Sequence, residues 1–96
     1  MHAVALSIDL HVPASQSLKT KRAAITPIIE GLRHRYRVSV AEIGYQDTWQ
    51  RAEIGVAIVA ASDGVLRSVI DDIERFVESA ADVEVLEMQT TWFEED

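Results

Sequence analysis

Val38-Ser39-Val40-Ala41-Glu42-Ile43-Gly44-Tyr45-Gln46-Asp47-Thr48-Trp49-Gln50-Arg51, continuing into Ala52-Glu53-Ile54-Gly55-Val56-Ala57-Ile58-Val59, decides the fold. Two strand-like runs, Val38–Tyr45 and Arg51–Ala61, flank a polar connection. The later run alternates cleanly, with Ala52, Ile54, Val56, Ile58 and Ala60 on one side and Glu53, Gly55, Ala57, Val59 and Ala61 on the other. That is the period of a strand with two unlike faces. The earlier run does not alternate. Val38 and Val40 share a phase with Glu42, while Ala41, Ile43 and Tyr45 hold the other, and a bulge would reconcile them. A plain hairpin turn needs only Gly, Asn or Asp. This connection instead carries Tyr45, Gln46, Asp47, Trp49, Gln50 and Arg51, a packet that matches no catalytic motif.

Upstream, residues 3–12 alternate Val4, Leu6, Ile8, Leu10 and Val12 with Ala3, Ala5, Ser7, Asp9 and His11, a strand with one bulky and one small face. Pro13-Ala14-Ser15-Gln16 ends it, and Ser17 is placed to cap a helix. Leu18, Ile25, Ile28, Ile29, Leu32 and Tyr36 then form one helical stripe. Pro27 lies opposite that stripe, so a single helix bent toward the core is expected, with a break near Thr26 as the alternative. Downstream, Ser62 or Asp63 caps a second helix, whose stripe is Leu66, Val69, Ile70, Ile73, Phe76, Val77 and Ala80. Residues 82–92 return to strand, and Glu94-Glu95-Asp96 is expected to be a frayed tail.

The order β-α-β-β-α-β with a short central hairpin predicts an α+β, ferredoxin-like fold. Two helices should cover one face of a four-stranded antiparallel sheet in a single domain spanning residues 1–96. The bulky sides of the first and third strands should face the helices. The opposite face is then built from Ala3, Ala5, Ser7, Gly55, Ala57 and Val59.

Composition narrows the function classes. The absence of cysteine excludes disulfides and thiolate metal sites. The longest apolar run, residues 54–61, is far too short to span a membrane, and no signal core follows Met1, so the cytoplasm is the expected location. The net charge of −7 is unevenly spread: residues 1–62 hold seven basic and five acidic side chains, residues 63–96 two and eleven. An acidic chain with one basic island allows a local anionic contact and gives no reason to expect DNA.

The chain resembles the YlxP-like family of small bacterial proteins. The resemblance rests on Ser17-Leu18-Lys19, Lys21-Arg22, the run Val38–Gly44, Gln46-Asp47, Trp49-Gln50-Arg51-Ala52 and Ile54-Gly55. It extends over roughly residues 4–88, and the hairpin is its most specific part. Two departures stand out: Tyr45 occupies a place where that family often has histidine, and Pro27 one where it usually lacks proline. The resemblance implies a ferredoxin-like fold and a gene neighbourhood of translation and ribosome-maturation factors. It implies no activity.

Three surfaces are candidates for function. Lys19, Lys21, Arg22, Arg33, Arg35 and Arg37 flank the first helical stripe, either snorkelling along its edges or forming a phosphate-binding surface for RNA or a ribosome-associated partner. In the hairpin packet, Trp49 is expected to plug the end of the core, Asp47 and Arg51 to clamp the connection, and Gln46 and Gln50 to satisfy its backbone. The alternative is a partner-recognition loop. The small-residue face predicts a homodimer packed there or along the edge strands. That face has no aromatics on its first and third strands, which disfavours RNA reading by base stacking on the sheet. Neither paired histidines nor a glycine-rich phosphate loop is present, so no catalytic residue, metal or cofactor is expected. A non-enzymatic binding protein is the leading expectation, and a dimeric scaffold or small-ligand module the alternative.

Overall fold

In the computed structural model, which describes residues 1–94, the elements are β1 (His2–His11), α1 (Leu18–Tyr36), β2 (Ser39–Gly44), β3 (Arg51–Ala60), α2 (Asp63–Glu78) and β4 (Glu84–Glu94). The sheet order is β2-β3-β1-β4, with every neighbouring pair antiparallel. This is the ferredoxin-like βαββαβ arrangement read from the sequence.

The period-two pattern works as expected. Val4, Leu6, Ile8 and Leu10 of β1 and Ala52, Ile54, Val56 and Ile58 of β3 are buried under the helices. Ile25, Ile28 and Leu32 of α1 and Leu66, Ile70, Ile73 and Val77 of α2 meet them. Ala3, Ala5, Ser7, Gly55, Ala57 and Val59 share the other face, as the alternation demands.

α1 runs unbroken through Pro27, whose ring sits on the exposed side. Its N-terminus is a complete capping box: the Ser17 side chain accepts from the Thr20 amide, and Thr20 Oγ1 accepts from the Ser17 amide. Its C-cap, Arg37, turns the chain with φ 53°. α2 is capped by Ser62. Between the helices, Gly31 leaves space for the Phe76 ring, which a Cβ there would strike.

Two register shifts shape the sheet. One lies in β2 between Glu42 and Gly44 and makes Ile43 the extra residue, so a bulge is present, but it falls after Glu42 and leaves that residue on the inward phase of Val38 and Val40. The Ile43 side chain then lies across Gly55 on the open face. The other falls opposite Asp9/Leu10 and leaves Leu86 as the extra residue of β4. β4 runs to Glu94, so Glu94 is strand rather than tail; Glu95 and Asp96 lie outside the described residues.

Candidate functional site: the clamped hairpin

The hairpin between β2 and β3 is organised by a residue that the sequence places on the surface. Lys21 is completely buried and does not belong to any basic surface. It lies on the stripe Leu18, Lys21, Ile25, Ile28, Leu32, and its stem packs as an apolar residue would. Its ammonium donates to the carbonyls of Tyr45 (2.8 Å), Gln46 (3.2 Å) and Arg51 (3.3 Å). Three protons thus meet three carbonyls. Glu42 Oε2 lies 3.0 Å from the same nitrogen and has no aligned donor among the described residues, so charge holds it there. A buried ammonium is tolerable only with this degree of pairing. Glu42 shares the inward phase of Val38 and Val40 because its partner is inside.

Around that centre the connection is closed by further bonds. Thr48 N–H donates to the Tyr45 carbonyl (3.0 Å), and Gln46 Nε2 to the Glu42 carbonyl (3.1 Å). Gln50 Nε2 donates to the Ser15 carbonyl (3.2 Å), tying the hairpin to the loop before α1. Gln46 therefore satisfies the hairpin's own backbone as expected, whereas Gln50 serves the loop before α1 instead. The expected Asp47–Arg51 clamp does not form. Arg51 instead reaches Asp9 on β1, with Nη2 2.7 Å and Nε 3.3 Å from its carboxylate oxygens. The guanidinium also lies 4.4 Å from the centre of the Tyr45 ring. Its hydrogen bond to Asp9 raises the Arg51 pKa further above the usual guanidinium value, so it stays charged. Tyr45 has φ 58°, a left-handed conformation costly for a bulky residue and held here by these contacts.

Trp49 is not a plug. It is 54% exposed, and the end of the core is closed without it. The packet is thus a rigid connection that presents an aromatic to solvent, with Asp47 exposed beside it.

The basic residues divide. Lys19 and Arg22 are exposed on the first turns of α1, in the segment that Lys21 and Gln50 tie to the hairpin. Arg33 pairs with Glu30 (3.1 Å) and donates to the Val40 carbonyl (2.8 Å). Arg35 lies over the Phe76 ring, and Arg37 is the exposed C-cap. Arg22 and Arg33 stand roughly 17 Å apart along the axis at 1.5 Å per residue. The six cations are therefore not one patch.

On the open face a shallow groove of about 410 Å³ runs over Ala5, Ser7, Ala41, Gly55 and Ala57, with Ile43 on one side and Gln89 and Thr91 on the other. Beyond it, Glu53 accepts from Ser7 Oγ, and Asp9 is taken by Arg51. No group of three or more metal-ligating side chains is assembled among the described residues. No helix among them is long and apolar enough to cross a membrane.

The fold places the chain among ferredoxin-like α+β domains. It belongs to the family described as "Protein of unknown function (DUF503)", which matches residues 4–90. It is 38% identical over 77 residues to "Uncharacterized protein YlxP" of Bacillus subtilis (strain 168), covering 80% of this chain and 84% of that one. The de novo designed protein Foldit4 superimposes with a TM-score of 0.58 at 20% identity, covering 93% of this chain and 96% of that one. The designed ferredoxin-fold protein LFR1 follows at 0.52 and 14% identity, covering 97% and 84%. These two likenesses concern the fold alone.

Proposed function

We propose that the chain is a non-catalytic binding protein whose recognition element is the clamped hairpin together with the first turns of α1, and whose partner is a single-stranded segment of RNA. The supporting observation is Trp49, half exposed on a connection whose carbonyls are fixed by a buried ammonium. A large apolar ring held out on a rigid frame gains nothing for the fold and suits stacking against a base. Lys19 and Arg22, carried by the helix turns joined to that frame, would meet the adjoining phosphates. The acidic remainder of the chain confines the contact to this end.

The test is binding of a fluorescent single-stranded RNA across a salt series, with co-sedimentation with ribosomal subunits as the second readout. Trp49→Ala should weaken binding by about 1–3 kcal/mol. Arg22→Glu should lower the salt slope by roughly one or more. Absence of binding at low salt, or binding indifferent to both changes, rejects RNA. Loss of a co-sedimenting partner in Trp49→Ala with an unchanged salt slope would instead assign the tip to a protein.

A further inference from the structure

The two edges of the sheet are not equivalent. β2 is six residues long, bulged at Ile43, and its outward carbonyls at Val40 and Glu42 are already occupied by Arg33 and Gln46. A strand treated this way cannot extend a sheet. β4 is eleven residues long and keeps one register with β1 from Glu87 to Glu94. It contains no Lys, Arg or Pro, and its Gln89-Thr90-Thr91-Trp92-Phe93 is rich in strand-favouring side chains. Among the described residues no hydrogen bond from another segment reaches its outer side.

The outward groups of β4 can be identified. Val12 N–H donates to the Gln50 carbonyl, so the even-numbered residues of β1 point toward β3 and the odd ones toward β4. Ala5 and Ser7 therefore exchange bonds with Thr91 and Gln89. Met88, Thr90 and Trp92 are left with their N–H and C=O groups facing out.

We propose that β4 is the site of self-association: a second copy pairs antiparallel about a two-fold axis at Thr90, giving a continuous eight-stranded sheet. Thr90 would exchange two bonds with its counterpart, and Met88 would do so with Trp92 on either side, about six in all. Glu87 then falls opposite Phe93, so no acid faces an acid along the regular stretch from residue 87 to residue 93. A copy of this chain thus matches the edge in hydrogen-bond phase, and the stretch that pairs, residues 88–92, carries no charge. This interface is independent of the hairpin and of its ligand.

The pairing carries a signature. Arg67, Asp71, Glu74 and Glu78 share the flank of α2 opposite Phe76, and Phe76 faces α1. That flank overhangs β4, as the Arg67 guanidinium 4.6 Å from the centre of the Trp92 ring shows. Pairing sets the two flanks across the two-fold axis, and on each of them Asp63 already pairs with Arg67 at 2.8 Å while Asp71, Glu74 and Glu78 add three further acids. Salt should therefore tighten the dimer, the reverse of its effect on RNA binding.

Sedimentation equilibrium of the full chain should give twice the 10.7 kDa chain mass, with association stronger at higher salt. Thr90→Pro removes only an outward N–H, so the ladder to β1 survives while association weakens roughly a hundredfold or more. Thr90→Lys should act alike and carries the test if the proline variant fails to fold, with circular dichroism as the check on folding. In the cysteine-free background Thr90→Cys should give a disulfide-linked dimer on oxidation, whereas Ala57→Cys should not. A native chain that stays monomeric at millimolar concentration overturns the proposal. So does a Thr90→Lys variant that associates as the native chain does. Cross-linking through Ala57→Cys instead of Thr90→Cys overturns it in favour of a face-to-face dimer.

Discussion

The Lys21 ammonium lies 2.8 Å from the carbonyl oxygen of Tyr45, twenty-four residues along the chain, and this contact joins the first helix to the hairpin. Replacing Lys21 by Met keeps the apolar stem but strips the Tyr45, Gln46 and Arg51 carbonyls of their donor and leaves Glu42 without its cation. Removing one partner of a buried pair costs about 3–5 kcal/mol. Urea denaturation should show a loss of that size, and the amides of residues 45–51 should exchange faster. A loss below about 1 kcal/mol would mean that the clamp is not what holds the hairpin.

Trp49 gives the opposite expectation. Because its ring is more than half exposed, Trp49→Ala should change stability by no more than about 0.5 kcal/mol. A Trp closing the core would cost about 3–5 kcal/mol on truncation. Thermal unfolding of the one variant separates the two.

Asp9 and Arg51 link the base of the hairpin to the central strand through a two-bond contact that is only partly shielded from water. A double-mutant cycle with Asp9→Asn and Arg51→Gln should return a small favourable coupling that shrinks in high salt. A coupling indistinguishable from zero would reduce the pair to a surface contact.

Gly31 and Phe76 set the approach of the helices. Gly31→Ala raises helix propensity by about 1 kcal/mol but pushes the Phe76 ring away from Arg35 and Tyr36. Overpacking of this kind costs about 1–3 kcal/mol, so the net change should be destabilising. In the Phe76→Leu background, where the ring is absent, the same substitution should become neutral or stabilising. Equal effects in both backgrounds would show that the ring shifts freely.

The alternation in β1 and β3, the stripe of α2, the Ser17 cap and the small-residue face were all legible, because each is a local consequence of side-chain period. What escaped reading was a partnership across the chain. Lys21 looked like surface because lysine usually is, although it fills the gap at i+3 and i−4 in an otherwise apolar row. Glu42 looked like an error of phase in β2. Each is the other's explanation: one cation and one anion, both on inward positions, in elements that the fold lays side by side. The Trp49 misreading has a related cause, since apolarity argues for burial but does not state what already fills the space.

The central place of β1 has a consequence for the order in which the molecule can be made. Within this domain the first strand to be synthesised, β1, pairs with β3 on one side and with β4, the last strand of the domain, on the other. At about 5–20 residues per second its apolar face waits several seconds for a complete sheet. During that interval α1 can coil and shelter part of it, but the structure cannot close. Released too early, a nascent domain offers two open edges on a central strand, and any quality-control factor that binds extended segments would meet β1 before the rest of the sheet.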